Sequence, residues 1–219
     1  MSYDALVPLI VALPLAGFLI TAAIGKRLGK QAHWIPVGAV VISWAVAMVV
    51  VVAALTNASP FGENGAGVTL WRWIPGLNPE APNPDLSIGL FVDHLTAVLL
   101  IVVTTIGMLV HVYSIGYMSH DTGYWRFFAY LNLFMVSMLI LVLADSWLLL
   151  FVAWELVGLS SYLLIGFWYR KHSAALASKK AFVVNRVGDV GFALGIMAIF
   201  VNTATLNNHD SLAKLAGGG

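Results

Sequence analysis

The residues able to do chemistry in this sequence are ionisable groups set inside long apolar runs. Glu155 stands in the run Trp147–Tyr169, three residues from its centre. On a helix rising 1.5 Å per residue that is about 4.5 Å from the midpoint. A charge at mid-membrane costs roughly 2.5–3.5 kcal/mol even on mild insertion scales, so an acid kept there has a reason to be there. A carboxyl group at that depth holds or releases a proton according to how near a cation stands. The same helical face carries Phe151, Gly158, Leu159, Tyr162 and Gly166. Small residues permit close approach of another helix, and Tyr162 adds a polar tip. Two roles stay open for Glu155: a proton relay, or a structural acid held by a hydrogen-bond partner.

The next apolar run, Lys180–Val201, opens with Lys180 and carries Asn185, Arg186 and Asp189. At 100° per residue the last three share one sector, and Lys180 points almost the opposite way. Arg186 and Asp189, three apart, can pair on one face, so a structural salt bridge is the plain alternative to a charge-modulating role. Lys180 at the edge of its run can snorkel to the interface. Counting depth along each run orders the groups inward as Lys180, Arg186, Asp189 and Glu155.

Other chemistries have little support. His94 and His111 cap the third run 17 residues apart, about 25 Å, too far to ligate one iron together. They read as interface or packing residues. There is no cysteine, so disulfides and thiolate metal sites are excluded. No phosphate-binding glycine loop, nucleophile–base pair or metal-ligand spacing is present, and a net charge of +1 gives no sign of a nucleic-acid partner.

The elements that hold these groups follow from composition. Of 219 residues, 60% are hydrophobic and 10% charged, against about 25% charged in soluble domains. Lipid is the solvent that fits. Six runs are long enough to cross a bilayer: Ala5–Ile24, Trp34–Leu55, His94–Tyr113, Trp125–Ala144, Trp147–Tyr169 and Lys180–Val201. Asp145 and Ser146 alone join the fourth and fifth, which must form a tight antiparallel pair. Between the second and third, Val68–Ile74 and Leu86–Val92 read as strands of a small β-hairpin, with Trp71 and Trp73 as interface anchors. Asp93 suits an N-cap for the third helix.

The expected fold is an all-α integral membrane protein. It divides into two helices over 1–55, an external hairpin loop over 56–93, four helices over 94–201 and a terminal loop over 202–219. Basic residues gather in alternate loops, at Lys26, Arg27 and Lys30, at Arg126, and at Arg170, Lys171 and Lys179. Those loops are therefore expected in the cytoplasm, with both ends of the chain outside.

Four segments carry a resemblance. WELVGLSSYLLIGFW at Trp154–Trp168 resembles the fifth-helix motif of the L-subunit family of NADH:quinone oxidoreductase, respiratory complex I. KAFVVNRVGDVG at Lys180–Gly191 is similar to that family's next helix, HVYSIGYM at His111–Met118 to its third-helix end, and SIGLFVDHL at Ser87–Leu95 to its hairpin strand. The resemblance implies an antiporter-like membrane-arm subunit that moves protons while quinone is reduced elsewhere. It implies that Glu155 is the key fifth-helix glutamate and that Arg186 and Asp189 fill the charged sixth-helix positions. It also implies that NADH, flavin, iron–sulfur clusters and quinone belong to other subunits, with no cofactor in this chain.

The partners so implied are the remaining membrane-arm subunits, the lipid bilayer and protons, in an energy-transducing membrane such as a bacterial inner membrane. The family's lysine-bearing seventh helix, second half-channel and lateral helix are not in this sequence, so complete transport is not expected of the chain alone. The alternatives are the large subunit of a multisubunit sodium/proton antiporter and a non-conducting membrane scaffold.

Overall fold

The computed structural model describes residues 5–56, 66–74 and 86–217. The Pro-rich connection expected between the two strands lies outside them. Six helices are long and apolar enough to cross a membrane: α1 Leu6–Leu28, α2 Trp34–Leu55, α3 His94–Tyr117, α4 Tyr124–Leu143, α5 Trp147–Ile165 and α6 His172–Thr203. Strands β1 Ala66–Ile74 and β2 Leu86–Val92 lie between α2 and α3, and a short α7 spans Asn208–Leu215.

Two differences from the sequence reading matter. Asn208–Leu215 is a helix where a terminal loop is expected. Also, α6 begins at His172 rather than Lys180, so Lys180 sits about 12 Å along the helix rather than at its edge. The polar start of α6 carries no hydropathy signal, which is why an apolar count begins it late.

Helix α1 packs on α2 and α4, α2 on α3, α3 and α5 on α4, and α6 on α5. The core lies among α1–α4, where Val7, Ile10, Val40, Leu100 and Leu139 are fully buried. Pro14 sits inside α1 and has no N–H to give the Ile10 carbonyl four residues earlier. The Ser43 hydroxyl of α2 donates to that carbonyl at 2.6 Å, so the proline is accommodated by a neighbouring helix.

The hairpin is antiparallel, pairing Val68 with Leu90 and Arg72 with Ser87. β1 has 9 residues and β2 has 7, and irregularities at Thr69/Trp71 and Arg72/Ile74 absorb the excess. Leu90 and Val92 are buried against the bundle, while Trp71 and Trp73 are exposed.

Caps set the helix starts. The Asp93 carboxylate accepts from Thr96 N at 2.7 Å, and the Ser146 hydroxyl from Leu149 N at 3.3 Å. The α4–α5 turn also anchors its surroundings. Gly89 N donates to Asp145 Oδ1 at 3.1 Å, Asn208 N to the Asp145 carbonyl at 3.1 Å, and Trp147 N to the Leu206 carbonyl at 2.9 Å. The hairpin and the α6–α7 segment thus meet at one end of the bundle. The basic connections meet at the other end. There the Arg126 guanidinium stacks 5.0 Å from Phe167 and 5.3 Å from Tyr169, and the His33 ring lies 5.8 Å from Tyr124.

Candidate functional site

Helices α5 and α6 face each other along the polar stripe of each. Tyr162 meets Phe182 with ring centroids 5.4 Å apart, and Phe151 meets Phe192 at 5.6 Å. These contacts fix an antiparallel register that sets Glu155 opposite Arg186. Gly158 of α5 faces Asn185 of α6, and a Cβ there would lie 3.7 Å from Asn185 Nδ2, an ordinary van der Waals distance.

At the centre of this seam one guanidinium joins two carboxylates. Arg186 Nη1 donates to Glu155 Oε2 across the helix pair. The same nitrogen stands 3.6 Å from Asp189 Oδ2, one turn along α6. Trp154 Nε1 donates to Asp189 Oδ1 at 3.0 Å, and the Phe182 ring lies 4.7 Å under the guanidinium carbon. Asp189 is held as an acceptor by Trp154 and is the more enclosed acid, with 10% of its side chain exposed against 22% for Glu155. A cavity of about 580 Å³ opens beside them, lined by Trp154, Asn185, Asp189 and Phe192 among others.

Of the four site residues expected, Glu155, Arg186 and Asp189 come together and Lys180 does not. Lys180 is exposed and joins no hydrogen bond or ion pair among the described residues. Its direction, nearly opposite the sector of Asn185, Arg186 and Asp189, has the consequence its angle suggests. The inward order needs correcting. Glu155 lies level with Arg186 and Asp189 rather than beyond them, because α6 starts earlier than its apolar run.

Trp154 and Phe182 complete the cluster and were not read from the sequence. The available signal was chemical: an indole N–H on a membrane helix needs an acceptor, and Asp189 supplies it.

Residues 80–128 match the family described as NADH-ubiquinone oxidoreductase (complex I), chain 5 N-terminus. Residues 144–216 match the membrane region shared by NADH:quinone oxidoreductase and the Mrp antiporter. NADH-quinone oxidoreductase subunit L of Mycobacterium tuberculosis (strain CDC 1551 / Oshkosh) is 43% identical over 203 residues, covering 91% of this chain and 30% of that protein. The chain thus spans under a third of the length of that relative. The fold is also that of a chain of the Mrp complex from Dietzia sp. DQ12-45-1b, with TM-score 0.73 and 24% identity, over 92% of this chain and 20% of that one. A chain of the archaeal membrane-bound sulfane sulfur reductase superposes with TM-score 0.70 and 21% identity, over 92% and 38%. The chain is a multi-pass membrane protein that belongs to the L-subunit (chain 5) family of NADH:quinone oxidoreductase.

Proposed function

We propose that this chain forms part of a proton-translocating, antiporter-like membrane subunit of an NADH:quinone oxidoreductase, with Glu155 as the group that takes up and releases the proton. The observation that carries the reading is the Glu155–Arg186–Asp189 cluster. One cation between two carboxylates is one positive charge short of neutral, so a single proton completes it. Asp189 is committed to Trp154, which leaves Glu155 as the acid free to exchange. Movement of Arg186 between the two carboxylates changes how strongly Glu155 holds a proton, because a nearby cation favours the charged carboxylate. Lys180, away from the cluster, acts in this reading as a basic residue on the approach to the site.

The Arg186 side chain is 46% exposed in the middle of a membrane-length helix. A guanidinium there needs water or protein rather than hydrocarbon around it. That supports further membrane-arm protein, or a water path, against the α5–α6 wall. The redox cofactors, NADH, flavin, iron–sulfur clusters and quinone, belong in this reading to other subunits and none to this chain. A bacterial inner membrane, with both ends of this chain outside, is the setting proposed. A sodium/proton antiporter subunit is the second reading, favoured by the α5–α7 region matching a family shared with Mrp antiporters. A passive scaffold has no use for the charge cluster.

The test is Glu155→Gln in the full complex in membrane vesicles, with subunit content measured in parallel. The amide keeps the shape and much of the hydrogen bonding but does not titrate. Assembly near normal with strongly reduced proton pumping and coupled quinone reduction is expected. Glu155→Asp should keep part of the activity. Full pumping by the glutamine variant sinks the relay role.

A further inference from the structure

A second group of cations gathers at the basic end of the bundle, away from Glu155. There a cavity of about 330 Å³ opens between the start of α4, the end of α5 and the first turns of α6. Arg126 of α4 and Lys179 of α6 line it together with the phenols of Tyr130 and Tyr162, and no carboxylate among the described residues does. Arg126 Nε is buried without a hydrogen-bond partner. The guanidinium rests on the Phe167 and Tyr169 rings, and its Nη2 meets the Phe167 carbonyl at 3.4 Å. Among the described residues Arg126 joins no ion pair. Lys179 Nζ and the Tyr130 and Tyr162 hydroxyls have no hydrogen-bond partner among them either. Two cations and two phenols around one space, with no acid between them, present donors to an anion.

The surroundings add positive charge rather than cancel it. Arg170 and Lys171 line an adjoining cavity of about 340 Å³ on the other side of Arg126. Asp121 lies there too, but both its oxygens are taken, Oδ1 by Gly123 N at 2.7 Å and Oδ2 by Trp168 Nε1 at 2.8 Å. The field is felt by Tyr169, whose phenol the Arg126 and Arg170 guanidiniums hold below its usual range.

Depth identifies the source of the anion. Helix α6 has 32 residues and is about 48 Å long, against a hydrocarbon core of roughly 30 Å. Its polar first turns, which carry Lys179, therefore belong to the headgroup layer. Arg126 is the third residue of α4, and Tyr162 stands three residues before the end of α5. Basic pockets between helices at a cytoplasmic membrane face suit acidic headgroups. We infer that this cavity binds the phosphate of an anionic phospholipid, clamped between Arg126 and Lys179. Arg126 Nε and Lys179 Nζ donate to the phosphate oxygens, and the two phenols donate to the phosphate or the glycerol esters. Leu163 and Phe167 offer an apolar wall to the start of an acyl chain. A zwitterionic headgroup brings a third cation to a cavity that already holds two, so phosphatidylglycerol is favoured over phosphatidylcholine. The site is independent of any role for Glu155.

The test uses the full complex, delipidated in detergent and then given phosphatidylglycerol, phosphatidylcholine or inorganic phosphate. Phosphatidylglycerol should raise the melting temperature more than either of the others. Arg126→Gln with Lys179→Gln should increase the phosphatidylglycerol needed for half of that rise about thirtyfold, for two basic contacts removed. Lys26→Gln, at the same end but outside the cavity, should leave it unchanged. A density map of the parent complex in phosphatidylglycerol nanodiscs should show a phosphate about 2.7–2.9 Å from Arg126 Nε, continuous with acyl density. A phosphate peak without acyl density, or an equal rise with inorganic phosphate, overturns the lipid assignment. So does a carboxylate of neighbouring protein seated between Arg126 and Lys179, or a double variant that responds as the parent does. Where the double variant does not assemble, the parent map decides.

Discussion

Pro14 and Ser43 show how a single side chain answers a backbone problem in lipid. The proline removes one N–H from α1, and the Ser43 hydroxyl takes up the carbonyl it leaves behind. Ser43→Ala should destabilise the complex by about 1–3 kcal/mol, the cost of a buried acceptor left unpaired. Pro14→Ala should abolish that penalty, because an alanine N–H can bond the Ile10 carbonyl itself. Melting temperatures of the two single variants and the double variant form the cycle, and equal losses from Ser43→Ala in both backgrounds would refute the account. Lys214 acts in a similar way at the end of α6, donating from Nζ to the Thr203 carbonyl at 2.8 Å. A cation at a helix C-terminus also meets the negative end of the helix dipole.

Between elements, the α5–α6 pair and the α4–α5 turn carry the sharpest expectations. In the cluster, Arg186 serves two acids from two helices, so the substitutions are unequal. Arg186→Gln strands both carboxylates on the seam, whereas Asp189→Asn leaves Glu155 with its cation. Breaking a buried pair from one side costs about 3–5 kcal/mol. Because Arg186 is 46% exposed, the cost here should fall below that range. Subunit content in membranes should drop more for Arg186→Gln than for Asp189→Asn, and the reverse order would show that Arg186 does not bridge the two.

At the turn, burial raises Asp145 above the usual carboxylate range, partly opposed by the Gly89 N–H donated to it. A raised folded-state value means that the folded protein prefers the protonated acid. That contribution is present below the unfolded value and is lost as pH rises through the folded one. Asp145→Asn keeps an acceptor for Gly89 and removes the ionisation. The melting temperature of the parent should therefore fall relative to the asparagine variant as pH rises above the ordinary aspartate range. Parallel pH profiles would show that Asp145 ionisation plays no part.

Across the whole molecule, polarity and burial are both distributed by position. The best apolar window of α4 is 50% buried, while those of α5 and α6 are 11% buried. The charge cluster lies on that open wall. The structure gathers Lys26, Arg27, Lys30, Arg126, Arg170 and Lys171 toward one end and places the hairpin, Asp145 and α7 at the other. By the excess of basic residues, the first end is expected in the cytoplasm. The chain has no native cysteine, so single reporters are simple to read. A membrane-impermeant thiol reagent applied outside should reach Trp71→Cys on the hairpin and fail to reach Leu28→Cys or Lys171→Cys. Labelling in the opposite pattern reverses the topology.

The six spans, the two strands, the Asp93 cap and the Arg186–Asp189 pair were legible in the residues themselves. Each rests on local physics: apolar length against bilayer thickness, alternation, capping chemistry and helical angle. The start of α6 at His172 was not, because polar helical turns outside the apolar run leave no hydropathy trace. Helix α7 escaped for the same reason. The α5–α6 register belongs to tertiary structure alone. Angles place Glu155 on one stripe and Arg186 on another, but which stripes meet depends on the aromatic packing between α5 and α6. Sequence determined which groups had to be sheltered from lipid; helix packing decided which of them shelter one another.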